Sequence, residues 1–145
     1  MGSTSPRTRL QKHLSLLRCC AGWTAEVFAK KLEISRATVS TLEKPGHELT
    51  MIQYLAIHKL FEDEIRHAPE ETCMLEAVLE TIVDSPEKYS VEERREVLER
   101  ARLMAPTILK VPSERKTMST AWAGVLVASG IALSATLLKI LGKRN

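Results

Sequence analysis

Three observations predict an all-α protein. Apolar residues recur three and four positions apart in successive segments of the 145-residue chain, the spacing of amphipathic helices. Several of these segments open on a Thr, Ser or Pro suited to a helix start and stop at Pro-Gly or Asp-Ser-Pro. The stretch from Thr117 to Leu138 carries no charged side chain and is apolar on all sides, as a fully enclosed helix would be.

Residues 1–7 are polar and lack the apolar core of a signal peptide, so they read as a disordered N-terminus. From Thr8 to Cys20, Leu10, Leu14 and Leu17 form the face of a first helix, with Arg7, Arg9 and Lys12 near its start. Trp23 to Gly46 then reads as two short helices joined by a tight turn. Thr24 can cap the first, and Val27, Phe28 and Leu32 give it an apolar face. Glu33-Ile34 makes the turn, and Ser35 can cap a second helix from Arg36. Val39 and Leu42 point inward on that helix, which leaves Arg36, Ala37, Ser40 and Thr41 outward. Pro45-Gly46 stops it. A fourth helix, from Thr50 to Phe61, is expected to pack through Met51, Ile52, Leu55 and Leu60.

Two helices around a tight turn are the layout that places a second, recognition helix in the DNA major groove. The segment from about Thr8 to Phe61 resembles the Cro/C1-type (Xre-like) helix-turn-helix domain of phage repressors and many bacterial regulators. Thr24, Glu26, Ala29, Leu32, Ile34, Ser35, Val39, Leu42 and Glu43 stand in register with that family's pattern. The resemblance implies a four-helix bundle over 8–67, an ion pair between Arg18 and Glu43, and DNA as partner. Three positions depart from the pattern. Ala25 stands where the family usually has a DNA-facing glutamine, Glu33 where it has the turn glycine, and Lys44-Pro45-Gly46 where it has Asn-Gly. Losing the glutamine weakens or redirects DNA contact, and Glu33 brings a negative charge toward the duplex.

On this reading Arg36, Ala37, Ser40 and Thr41 approach base edges, Arg36 being suited to a bidentate contact with guanine. Thr24, Lys44 and Arg9 hold phosphates, which position a protein without reading sequence. A homodimer would present two such helices about 34 Å apart.

The net charge of +3 conceals sharp segregation. Residues 1–61 carry 9 Lys/Arg against 4 Asp/Glu, residues 62–105 carry 6 against 13, and residues 106–145 carry 6 against 1. The basic first segment suits phosphate. The acidic second argues against DNA contact and reads as a helical hairpin over 68–105. Its first helix starts at Pro69 and buries Leu75, Val78, Leu79 and Ile82. Its second opens on a Ser90/Glu93 capping box, buries Val91, Leu98, Ala101 and Met104, and ends at Pro106. The hairpin could pack on the first domain, pair with a second copy or receive another protein. Residues 106–117 read as an extended linker.

The 22 uncharged residues would span roughly 33 Å as a helix, close to the hydrocarbon thickness of a bilayer. Trp122 near one end and basic residues on both flanks suit a spanning helix over 118–141, and a stripe of small residues suits close helix pairing. The expectation is a single-pass tail anchor on the cytoplasmic face of the cell membrane.

No nucleophile-and-base pair, glycine-rich phosphate loop or metal-ligand spacing occurs, so neither an enzyme, a cofactor nor a metal is expected. His58 and Glu62 are four apart, a spacing common enough to be solvated charge. Cys19, Cys20 and Cys73, without a Cys-x-x-Cys, suit reduced thiols. The leading expectation is a membrane-anchored DNA-binding regulator of transcription. A membrane-tethered adaptor is the alternative, its helix-turn-helix binding protein as in the similar cytoplasmic domain of a bacterial rod-shape membrane protein. A phage repressor or antitoxin whose tail docks into a partner is a third.

Overall fold

A computed structural model describes residues 4–110, and these are all-helical, with no strand among them. The elements are α1 (Pro6–Lys12), α2 (Leu14–Cys20), α3 (Ala25–Leu32), α4 (Arg36–Leu42), α5 (Met51–His67), α6 (Cys73–Val78) and α7 (Val91–Lys110). A π-helical turn, Leu79–Asp84, prolongs α6, and a 3₁₀ turn, Pro86–Lys88, leads toward α7. Among the described residues no helix is long and apolar enough to cross a membrane. The uncharged 118–141 segment and its expected span lie outside the described residues.

The first predicted helix is two. The chain breaks at His13 (φ −112°, ψ 18°), whose N–H is shared between the carbonyls of Arg9 and Leu10. The leucine stripe survives the break, for Leu10, Leu14 and Leu17 are all fully buried. They meet an aromatic trio in which Trp23, Phe28 and Phe61 stack pairwise at 5.5–6.1 Å between ring centroids. Offset stacking of this kind adds to the area each ring removes from water.

That trio decides which way α5 faces. The helix buries Ile57 and Phe61, and turns Met51, Ile52 and Leu55 outward at 53, 80 and 57 % exposure. Of the expected packing face only Leu60 meets the core, and that in part. Tyr54, Ile57, Phe61 and Ile65 form a second stripe of helical spacing, and only Phe61 can complete the aromatic stack. Val27 likewise lies on the surface of α3.

The acidic second half shares this core and does not form a separate layer. Leu75, Val78, Leu79 and Ile82 are buried, and with Val97, Ala101, Met104 and Ile108 of α7 they make one continuous apolar cluster with α1, α2 and α5. The expected boundary at 67/68 thus runs through a single core. α7 lies chiefly along α2, and the π turn lies against α1. Ser90 and Glu93 do cap α7 reciprocally, at 3.1 and 3.2 Å. Two expectations for α7 fail. Val91 is exposed and Val97 takes the core position, and the helix runs through Pro106 to Lys110 instead of ending there. Pro106 removes one intrahelical hydrogen bond, but Ala105 and Ile108 on either side of it are buried and hold the last turn to the core.

Two polar clamps fasten the π turn to the first half. Arg9 donates from Nε and Nη2 to the Val83 carbonyl at 3.0 and 2.7 Å, and from Nη1 to the Thr4 carbonyl. His58 on α5 lies between two carboxylates, Nδ1 2.9 Å from Glu62 and Nε2 2.8 Å from Asp84 at the end of the turn. Its spacing to Glu62 is thus part of a tertiary bridge.

His58 at this bridge and His13 at the break between α1 and α2 titrate in opposite senses. The hydrogen bond to Asp84, with the charges of Asp84 and Glu62, raises the pKa of His58 against the opposing effect of burial. Its contribution to stability is complete below the unfolded-state value of about 6.5 and is lost as pH rises through the folded-state value. Burial, then Lys12 and Arg102, lower His13 to about 4. Its contribution is present above about 6.5 and is lost as pH falls toward 4. Urea titrations across this range should therefore find maximal stability near pH 6.5. His58→Gln should flatten the alkaline limb alone, and His13→Gln the acid limb alone between 4 and 6.5.

A candidate nucleic-acid interface on α4

The α3–turn–α4 unit is built by local hydrogen bonds. Thr24 Oγ1 accepts the Val27 N–H at 3.2 Å and starts α3; Ser35 Oγ accepts the Thr38 N–H at 3.1 Å and starts α4. Between them α3 ends in a Schellman motif, with the Ile34 N–H bonded to Ala29 and the Glu33 N–H to Lys30. The motif requires a left-handed residue, and here it is Glu33, at φ 57° and ψ 42°. The turn before α3 has the same design with a glycine, Gly22, at φ 80°. Glu33 thus holds a conformation that costs an L-residue about 1–2 kcal/mol.

α4 is held from behind by two side chains. Arg18 on α2 donates from Nε to Glu43 Oε1 at 2.6 Å, with Nη2 at 3.4 Å from Oε2, and from Nη1 to the Trp23 carbonyl at 2.9 Å. The pair is largely shielded, at 12 and 15 % side-chain exposure. One guanidinium therefore joins the end of α2, the entry to α3 and the end of α4. Gln11, buried on α1, donates from Nε2 to the carbonyls of Leu42 and Lys44 at 3.0 and 2.6 Å, satisfying acceptors that the helix end leaves open.

Val39 and Leu42 are buried, which turns Arg36, Ala37, Ser40 and Thr41 to the exposed side of α4. An α-helix is about 10–12 Å across, a match to a major groove about 12 Å wide. Arg36 Nη1 rests 3.3 Å from Glu26 on the surface, an ion pair of the kind worth at most about 1 kcal/mol and easily exchanged for another partner. Thr41 Oγ1 donates to the Ala37 carbonyl at 3.2 Å. Thr24 and Lys44 are exposed at the two ends of the unit. Lys31 lies 4.9 Å over the Trp23 ring.

Arg9 does not join them. All three of its nitrogens bond to main-chain carbonyls of Val83 and Thr4, so the phosphate role expected for it becomes a structural one. Gln11 was not singled out from the sequence, and His58 was noted only for its spacing to Glu62. Gln11 lies three residues before Leu14, within the apolar stripe of the first helices, and a polar residue there signals an internal hydrogen bond. Burial pushes the thiols of Cys19 and Cys20 up, away from nucleophilic character. Among the described residues no group of three His, Cys, Asp or Glu side chains is placed to hold a metal ion.

Two substitutions test this geometry in denaturant titrations. Arg18→Leu should cost about 3–5 kcal/mol, because it leaves the shielded Glu43 carboxylate unpaired, and adding Glu43→Leu should recover most of the loss. Glu33→Gly should stabilise by up to about 1 kcal/mol, the relieved left-handed strain exceeding the added freedom of the unfolded chain. Neither a protein-family model, nor a curated protein, nor a solved structure matches the chain.

Proposed function

We propose that the protein is a sequence-specific regulator of transcription that binds double-stranded DNA through a helix-turn-helix formed by α3 and α4. The observation that carries this reading is the pairing of a rigidly backed α4 with an uncluttered polar outer face. Arg18 and Gln11 hold the helix from inside, while Arg36, Ala37, Ser40 and Thr41 stand together outside. Preorganisation of that kind lowers the ordering cost of docking. In the complex Arg36 leaves Glu26 for a guanine edge, and Thr24 and Lys44 take phosphates on either side. We further propose that residues 118–141 anchor the chain in the cell membrane with the DNA-binding part on the cytoplasmic face, and that two copies act together.

The adaptor reading has one specific support. Glu26 and Glu33 are exposed on the same unit as the base-facing residues and would meet phosphate with the wrong sign. A protein partner with a basic face would accept them.

Operator binding by the two variants Arg36→Ala and Lys44→Ala separates base contact from phosphate contact. Arg36→Ala should relax discrimination at one base position, by about 1–3 kcal/mol. Lys44→Ala should weaken all sequences alike and lower the salt slope by about 1. Parental binding by both variants would contradict the assigned roles.

A further inference from the structure

Where α5 meets α6 and the π turn, four carboxylates line one pocket of about 390 Å³: Glu62 on α5, Glu76 on α6, and Glu80 and Asp84 on the π turn. A pocket of that volume can hold a small molecule. Ile65 and Leu79 give it an apolar wall. Arg66 is the one base among its described lining residues, and its guanidinium also lies 3.5 Å from Asp63. His58 engages one oxygen each of Glu62 and Asp84. Glu76 and Glu80 stand about one turn apart, where like charges repel.

Acids on a solvated surface need no ligand, but a buried hydroxyl at the same place points to one. Tyr89 lines the pocket, is only 7 % exposed, and its enclosed hydroxyl makes no hydrogen bond among the described residues. Burial and then the Glu80 carboxylate push the phenol's pKa up, yet that carboxylate stands outside hydrogen-bonding geometry. A buried polar group without a partner is uncommon enough to need a reason. The π turn that carries Glu80 and Asp84 is a second sign, since such turns are rare and recur at functional sites. Among the described residues no three His, Cys, Asp or Glu side chains are placed to hold a metal ion. The negative charge is therefore spread along the pocket and does not converge on one point.

We infer that this pocket binds a linear polyamine. Ammonium groups separated by methylene stems match spread carboxylates beside an apolar wall. One ammonium placed between Tyr89 and Glu80 donates to both oxygens, which gives the phenol its missing partner through a charge-assisted bond. The stem lies along Ile65 and Leu79, and a second ammonium reaches Glu62 and Asp84. Bound there, the ligand would tie α5 to the π turn beside the His58 bridge. The inference goes beyond the proposed function and does not rest on it.

The test is calorimetric titration of the full-length chain, in non-ionic detergent at low and fixed ionic strength, with spermidine and with magnesium. Spermidine should bind saturably, one per chain, and more tightly than magnesium. Glu80→Gln should weaken it about tenfold or more, and Tyr89→Phe about fivefold. Tyr89→Phe should leave the urea midpoint unchanged or higher, because the hydroxyl it removes has no partner in the fold. Glu99→Gln, at an exposed acid on α7 away from the pocket lining, should bind like the parent. Absence of saturable binding, equal affinity for magnesium, or parental affinity in both pocket variants would overturn the proposal. The titration contains no DNA, so this inference and the DNA-binding reading fail separately.

Discussion

The Arg18 guanidinium is the constraint on which the arrangement of the first four helices depends. Its bonds to the Trp23 carbonyl and to Glu43 join the end of α2 to the entry of α3, five residues on, and to the end of α4, 25 residues on. Each of those segments is otherwise short. α2, α3 and α4 span only seven or eight residues, below the length at which a helix is stable alone in water. Their stability is therefore tertiary, and the ion pair specifies one mutual orientation. Apolar burial of Leu14, Leu17, Phe28 and Val39 supplies the drive, while Arg18 and Gln11 choose the register in which it is satisfied.

The acidic half extends the same logic. Its helices would expose an apolar face if left alone, and they cover it with α1, α2 and α5. Polar groups again set the alignment. Arg9 takes the carbonyl at the end of the π turn, and His58 takes the carboxylate beside it. The positive charge that the sequence places near the first helix is thus partly committed to internal carbonyls. This narrows the set of residues available to phosphate and puts more weight on α4 and its two flanks.

Local signals were the most legible part of the sequence. Caps at Thr24, Ser35 and Ser90 act one turn away, so residue type and spacing suffice to find them. The leucine stripe of the first helices was equally clear. Where two solutions satisfied the same periodicity, tertiary packing decided, and spacing could not. α5 carries two apolar faces, and the choice fell to the one bearing Phe61, because that ring completes a stack with Trp23 and Phe28. Pro106 misled for a related reason, since burial of its neighbours outweighs one lost hydrogen bond. On the candidate site, the outward set on α4 followed from Val39 and Leu42 facing in. The commitments of Arg9 and Gln11 did not, because their partners lie 74 and 31 residues away.

A salt titration of duplex binding bears most directly on DNA recognition by α4. Full-length protein in non-ionic detergent would be titrated against mixed-sequence duplex and against a selected operator at rising salt. DNA recognition predicts that log affinity falls linearly with log salt, by about 0.9 for each phosphate neutralised, and that the operator binds more tightly throughout. Failure to bind either duplex at low salt, or binding indifferent to salt, would contradict it and favour a protein partner for the same face.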